Sequence, residues 1–296
     1  MIASTYDSPY SAAMNRTYRS FAWPALVLLL LALLAWFAPV APIDPWKILV
    51  PKKICTMIFA LAFIQVIGSF SSKLLGARAG AILAGFFGGI ISSTATTAGL
   101  AKKSKSDVKS DAQTELLTFL AATMAMLFEG AALVVTGTDD FHFSVILIFL
   151  GPLLATTIML ISLSHKIAGT SDSASGIDFK VMPLLKLSLF ILGILSLSKI
   201  LQHFMGKTGL LVLTFLVSLF EIHGSVIANV QLHDLDAISV RLLIGLLALS
   251  VLASYLSKLF LISVLGSKQL RNRALRTSLI LFLSLLASWL TAISLA

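Results

Sequence analysis

Long apolar runs, separated by short polar segments, occupy most of the chain. Most runs hold about 20 residues, the length that a helix needs to cross a hydrocarbon layer about 30 Å thick. A transmembrane β-barrel would show short segments of alternating polarity instead. The pattern therefore predicts an all-α fold, a polytopic transmembrane helix bundle of about nine helices, at residues 22–41, 54–72, 80–100, 115–136, 144–164, 182–204, 209–230, 240–265 and 276–296.

The composition points the same way. Hydrophobic residues make up 58% of the chain and charged residues 12%, whereas a soluble domain has roughly 45–50% apolar and about 25% charged residues. Mean hydropathy is +0.98. A water-soluble core could not bury this much apolar surface, so we expect the lipid bilayer to be the main partner of a multi-pass membrane protein.

The formal net charge of +9 comes from Lys and Arg residues that lie almost entirely in the short loops. There they meet lipid headgroups, and nucleic-acid binding is the weaker explanation of the charge. Because these residues are balanced between the two sets of loops, the positive-inside rule gives no orientation. Cys55 is the single cysteine, which excludes an intrachain disulfide, and no cofactor is expected.

The chain is interpreted as one integral membrane unit with an internal repeat. An offset of 129 residues pairs polar exceptions within the apolar runs: Ser92, Thr94 and Thr96 with Glu221, His223 and Ser225, and Glu129 with Lys258. A unit of four spans returns to its starting side, so the two copies are expected to be parallel. Chance alignment of apolar helices is the alternative. The predicted parts are a polar tail at 1–21, a first repeat at 22–170, a linker at 171–181, and a second repeat with the last helix at 182–296.

The third apolar run carries a small, hydroxyl-rich segment. Gly85 and Gly89 form a GxxxG pair, which lets helix backbones approach closely. Hydroxyls can bond across helices or to carbonyls freed where a helix breaks. The segment therefore predicts either close helix packing alone or the lining of a solute path, by Ser92, Ser93, Thr94, Thr96 and Thr97.

The seventh run places four polar residues at helical steps on one face: Ser218, Glu221, Ser225 and Asn229. In a regular helix His223 lies about 200° round from Glu221. The two side chains converge only if the backbone unwinds, which Gly224 would permit. Discontinuous helices near the midplane bind solutes in transporters.

Four ionisable residues lie well inside apolar runs: Glu129, Glu221, His223 and Lys258. A charge there costs at least about 2.5–3.5 kcal/mol, so these side chains are expected to face one another or a watery cavity. For Glu129 with Lys258, the alternative to a functional role is a structural ion pair. For Glu221 with His223, the alternative is that the imidazole only fills packing space.

The stretch GFFGGIISSTATTAGLAKKSK resembles the glycine-rich SSTATT motif of a membrane domain commonly fused behind MgtC/SapB domains, and the similarity runs from about residue 22 to the C-terminus. In the second copy that family usually shows Asp-x-Asp-Ala where this chain has residues 221–224. Lys258 matches a family Lys, whereas Glu129 stands where Arg is usual. The resemblance implies the bacterial inner membrane and an association with magnesium limitation through the fused partner.

A transporter or channel for a small ion or solute is the first expected function, since repeats, a broken helix and buried charges occur together. The alternative is a regulatory or scaffold subunit that binds another copy or another membrane protein. An enzyme is not expected, because HExxH, GxSxG and paired-carboxylate motifs do not occur. Mg²⁺ prefers several oxygen ligands, and well inside the spans only Glu129 and Glu221 offer carboxylates, so metal binding is left open.

Overall fold

A computed structural model describes residues 24–43, 50–75, 80–106, 111–138, 142–164, 193–194, 197 and 205–296. These residues are helical or irregular and contain no strand, which confirms the all-α fold class. The helices are α1 (Pro24–Phe37), α2 (Pro51–Leu75), α3 (Ala81–Ser106), α4 (Ala112–Gly137), α5 (Phe143–Ser164), α6 (Met205–Ser218), α7 (Ile222–Asp234), α8 (Val240–Leu265) and α9 (Lys268–Ser294).

Five of these helices, namely α3, α4, α5, α8 and α9, are long and apolar enough to cross a membrane. The chain is therefore a multi-pass membrane protein. In the most apolar 18-residue stretch of each helix, the buried share is 67% for α4 and 28% for α9. Helix α4 therefore lies at the centre of the bundle and α9 at its lipid-facing edge. The predicted span at 182–204 lies almost entirely outside the described residues.

Short polar residues set where several helices begin. Asp111 accepts hydrogen bonds from the backbone N–H groups of Gln113 and Thr114 and so caps α4. Although partial burial raises the pKa of Asp111, these hydrogen bonds hold it below its usual value. Ser239 and Ser267 cap α8 and α9 in the same way. The Ser267 cap starts α9 eight residues before the predicted span, because basic turns can extend a helix beyond the apolar layer.

The predicted span at 209–230 is two helices, α6 and α7, that fold back on each other. Glu221 between them has extended backbone angles, φ −147° and ψ 101°. The Thr214 hydroxyl donates to Asn229 Oδ1 at 3.3 Å, although the residues are 15 apart in the chain. One continuous helix would separate them by about 22 Å. Helices α6 and α7 therefore form a hairpin whose tip is at residues 219–221.

The first half of α3 runs alongside α4 in the same direction. A Cβ added to Gly85 would meet the backbone of Thr118, and one added to Gly89 would lie 2.5 Å from Ala122 Cα. These two contacts advance by one turn on both helices. The predicted GxxxG pair is thus a backbone-to-backbone contact within the chain.

The second half of α3 runs back towards the end of the bundle at which α4 begins. Ser92 interrupts the helix with extended angles, φ −168° and ψ 102°. A straight continuation would carry Ser106 towards the far end of α4, whose 26 residues span about 39 Å. The link at 107–111 reaches only about 20 Å back to the start of α4. Helix α3 therefore folds back at Ser92 into a second hairpin.

The two hairpins enter from opposite faces of the bundle. We define face one as the side where α4 begins: there Arg273, early in α9, donates to Gln113 at 2.6 Å, and Ser267 N donates to Ser104 in the returning arm of α3 at 2.9 Å. Face two is the side where α4 ends. There Asp234, the last residue of α7, pairs with Lys53 near the start of α2.

This arrangement corrects the expected parallel repeat. Helix α8 ends beside face one, where α4 begins, so α4 and α8 run in opposite directions. Two runs counted as spans, 80–100 and 209–230, turn back instead of crossing, so the even count of crossings on which the parallel orientation rested does not hold. The offset of 129 residues pairs Ser92 with Glu221, and each marks a break. Two copies related in this way are inverted, while the domain limits stay a prediction.

The hairpin of α6 and α7 predicts a disulfide between introduced cysteines. With Cys55 replaced by Ser, T214C with N229C should crosslink rapidly under mild oxidation, because the native side chains are in contact. Mass shift after alkylation measures it. The matched pair L216C with N229C should stay reduced, since Leu216 is exposed on another side of α6. Equal crosslinking of both pairs would contradict the hairpin.

Candidate functional site

An imidazole lies between two carboxylates where the tip of the α6–α7 hairpin meets α4. His223 Nδ1 is 2.9 Å from Glu221 Oε1, and His223 Nε2 is 3.1 Å from Glu129 Oε2. Glu129 belongs to α4, whereas the other two residues begin α7. The tip of the hairpin is thereby fixed to the central helix by charged groups.

The break at Glu221 brings these groups together. Its carboxylate accepts the backbone N–H of His223 at 3.0 Å and the imidazole at 2.9 Å, so one side chain caps α7 and orients the ring. The predicted convergence of the two side chains on unwinding is confirmed. The unwound residues are 219–221, however, and Gly224 lies inside the regular part of α7.

Burial increases from one end of this group to the other. The exposed fraction is 35% for the Glu221 side chain, 9% for His223 and zero for Glu129. Glu129 Oε1 has no hydrogen-bond partner among the described residues, and Oε2 is near His223 Nε2 without good hydrogen-bond alignment. A fully buried carboxylate with so few donors is costly when charged.

Lys258 is close to this group but does not pair with Glu129. Its Nζ donates to Ser254 Oγ at 2.6 Å and contacts Met126 Sδ at 3.0 Å. The structural ion pair that was the alternative to a functional role for Glu129 and Lys258 therefore does not form. His223 of α7 lies beside Glu129. The Lys258 ammonium contacts Met126, one turn before Glu129 on α4, and not Glu129 itself. Lys258 is fully buried, and its charge is near enough to attract that of Glu221.

Two predicted site residues, Ser225 and Asn229, belong to a buried polar network that joins α6, α7 and α8. Asn229 accepts from Thr214 and lies 3.5 Å from Ser225 Oγ, which is 3.1 Å from Ser250 Oγ. These hydrogen bonds hold the hairpin to α8. Ser218, also predicted on this face, is buried at the tip, and its hydroxyl has no hydrogen-bond partner among the described residues.

The hydroxyl-rich segment forms the tip of the α3 hairpin. Ser92 Oγ accepts the N–H of Ala95 at 3.2 Å, as a capping residue does. Thr97 donates to the Ser93 carbonyl at 2.7 Å, and both residues are buried. Ser92, Thr94 and Thr96 are partly buried. Direct contacts with the charged residues are not among the described hydrogen bonds, although α3 packs against α8, which carries Lys258.

Sequence reasoning missed the neighbours that hold Lys258, namely Met126 and Ser254. Ser254 is one turn from Lys258 on α8, a spacing that could have suggested it; Met126 gives no such signal. Gln231 was missed too: it is fully buried in α7, and both atoms of its amide lack a partner in the described part of the chain. A glutamine inside an apolar run is a sequence signal that could have identified Gln231.

The described residues contain no cluster of three or more His, Cys, Asp or Glu side chains arranged to hold a metal ion. A model of a family described as "Domain of unknown function (DUF4010)" matches residues 60–266. This match includes both helix breaks and all four of the ionisable residues that lie well inside the apolar runs. No curated protein and no solved structure matches the chain.

Proposed function

The chain belongs to the DUF4010 family of unknown function, and we propose that this member is a transporter that moves a small ion or solute across the membrane. The observation that carries the proposal is the pair of helical hairpins that enter from opposite faces and break at Ser92 and Glu221. Inverted repeats with discontinuous helices are a recurring architecture of secondary transporters.

The charges at the breaks support the same function. Charged residues within a membrane are costly, and they mark solute paths or proton relays where they face the protein interior. Glu129, His223 and Lys258 are all buried within the protein. A protein that only needed stability would be served as well by apolar side chains at these positions.

The alternative function as a scaffold is less well supported. It relied on the small-residue face of α3 as a contact for a partner. Gly85 and Gly89 pack against Thr118 and Ala122 of the same chain, so this face is already occupied. We therefore propose transport rather than scaffolding, and no enzymatic activity.

The proposed cellular location and physiological role follow from the resemblance to the domain fused behind MgtC/SapB. We propose the bacterial inner membrane as the location and a link to magnesium homeostasis as one setting for the transport. Direct Mg²⁺ binding would use Glu129 and Glu221, which offer fewer oxygens than Mg²⁺ usually takes.

Uptake into liposomes containing the purified protein tests this proposal. Mg²⁺, small inorganic anions and protons are screened in turn, the last with internal pyranine. We expect saturable uptake of one class above that of empty liposomes. Liposomes that take up nothing in any of these tests, although the protein is inserted and folded, would contradict transport.

A further inference from the structure

Glu221, His223 and Glu129 form a continuous line of contacts from a partly open position to a closed one. The exposed fraction falls from 35% through 9% to zero along this line, and the two gaps are 2.9 Å and 3.1 Å. Proton transfer needs this kind of hydrogen-bonding reach. We propose that the three side chains are a proton relay, with Glu129 as the internal proton-binding site of a proton-coupled transporter.

Imidazole chemistry allows a single proton to pass. A proton on the Glu221 carboxyl transfers to His223 Nδ1, so that an O–H bond breaks and an N–H bond forms. The ring then releases the proton on Nε2 to Glu129 Oε2. One proton has moved from the outer to the inner carboxylate, and the ring is neutral before and after with its tautomer changed. Reverse transfer resets it.

The buried surroundings of Glu129 make its carboxyl the group on which the transferred proton stays. An ionised carboxylate without hydrogen-bond donors is unfavourable in the interior, whereas its protonated form is neutral. Glu129 is therefore stabilised in two conditions: charged beside the imidazolium that forms during the transfer, and protonated beside the neutral ring after it. Solute binding, or a change in the side of the membrane to which the protein opens, converts one state of Glu129 into the other. A proton-driven transporter needs this coupling.

Other charges near the relay are few in the described structure. Helix α7 packs against α2, α4 and α8. Lys258 of α8 donates to Ser254 and contacts Met126, which lies one turn from Glu129 on α4. Lys53 of α2 is paired with Asp234 at face two. The remaining charged residues on these helices are Lys52, Glu115 and Arg241, which lie in first turns, and Lys73, which lies in the last turn of α2.

Infrared difference spectra of the intact purified protein test the proton site without any solute. A protonated carboxylic acid absorbs apart from carboxylates, so Glu129 should give a band that changes with pH. The band should be lost in Glu129→Gln and kept in Glu115→Gln, which alters another buried glutamate of the same helix. In His223→Gln the band should persist and lose its pH dependence, since no cation is left to pair with Glu129.

A band unchanged by Glu129→Gln would overturn the relay. Transport is tested separately in pyranine-loaded liposomes, because this inference rests on the proposed function. Addition of the transported solute should acidify the interior with the wild type and with Glu115→Gln, and not with Glu129→Gln. Proton entry retained in Glu129→Gln overturns the relay alone. Absence of all uptake, together with a titrating Glu129 band, overturns transport and supports the proton site.

Discussion

Replacement of Glu221 by Gln is expected to abolish transport while the protein still inserts and folds. The Gln side-chain oxygen can still accept the backbone N–H of His223, so the cap of α7 is preserved. What is lost is the negative charge beside His223. Binding of a proton or a solute at the break depends on that charge, whereas packing does not. Initial uptake rates in liposomes measure the effect.

Asp236→Asn is a matched control for this substitution. It also removes one carboxylate, but from an exposed position just beyond α7. Asp236 has a positive φ of 56°, a conformation that Asn tolerates well, so uptake should be unchanged. If Glu221→Gln keeps full uptake and only lowers the unfolding temperature in detergent, the charged group is structural and the proposed site is wrong.

The break at Glu221 was foreseeable from the sequence, and its geometry was not. Glu221 and His223 interrupt an apolar run, and two polar side chains on different helix faces predict unwinding. Hydropathy measures only the length of a run, so it cannot distinguish a helix that crosses from two that fold back. That distinction depends on a contact between residues 15 apart, Thr214 and Asn229.

The error in repeat orientation has the same origin. An even number of crossings predicts parallel copies, but two of the runs counted as crossings turn back at Ser92 and Glu221. The sequence signal at Ser92, a polar residue aligned with Glu221, was correct as to position. In physical terms, non-helical backbone at this depth is tolerated only inside protein or beside a watery cavity, and that location follows from tertiary packing.

The sequence also could not predict which of the ionisable residues inside the apolar runs contact one another. Four ionisable residues within apolar runs predict a cluster, since lipid penalises each of them. Which charges pair depends on which helices touch. Helix α7 packs on α4, so His223 contacts Glu129, and Lys258 contacts Ser254 and Met126 instead.

Replacement of Gly89 by Ala is expected to destabilise the protein by about 1–3 kcal/mol, the usual cost of overpacking a close contact. The added Cβ would lie 2.5 Å from Ala122 Cα, and a backbone atom in the middle of α4 cannot move aside as a flexible side chain can. Helices α3 and α4 would have to separate, which displaces the tip at Ser92. Chemical denaturation in detergent measures the loss of stability.

Gly99→Ala gives the sharpest comparison, because Gly99 lies on the returning arm of the same helix and an added Cβ there meets nothing within 4 Å. Alanine is favoured over glycine in a helix by about 1 kcal/mol, so this variant should be as stable as the wild type or slightly more stable. If the tip of α3 contributes to the solute path, uptake should fall with Gly89→Ala and persist with Gly99→Ala. Equal stability of the two variants would show that α3 and α4 are not in backbone contact, and the hairpin at Ser92 would then lose its main support.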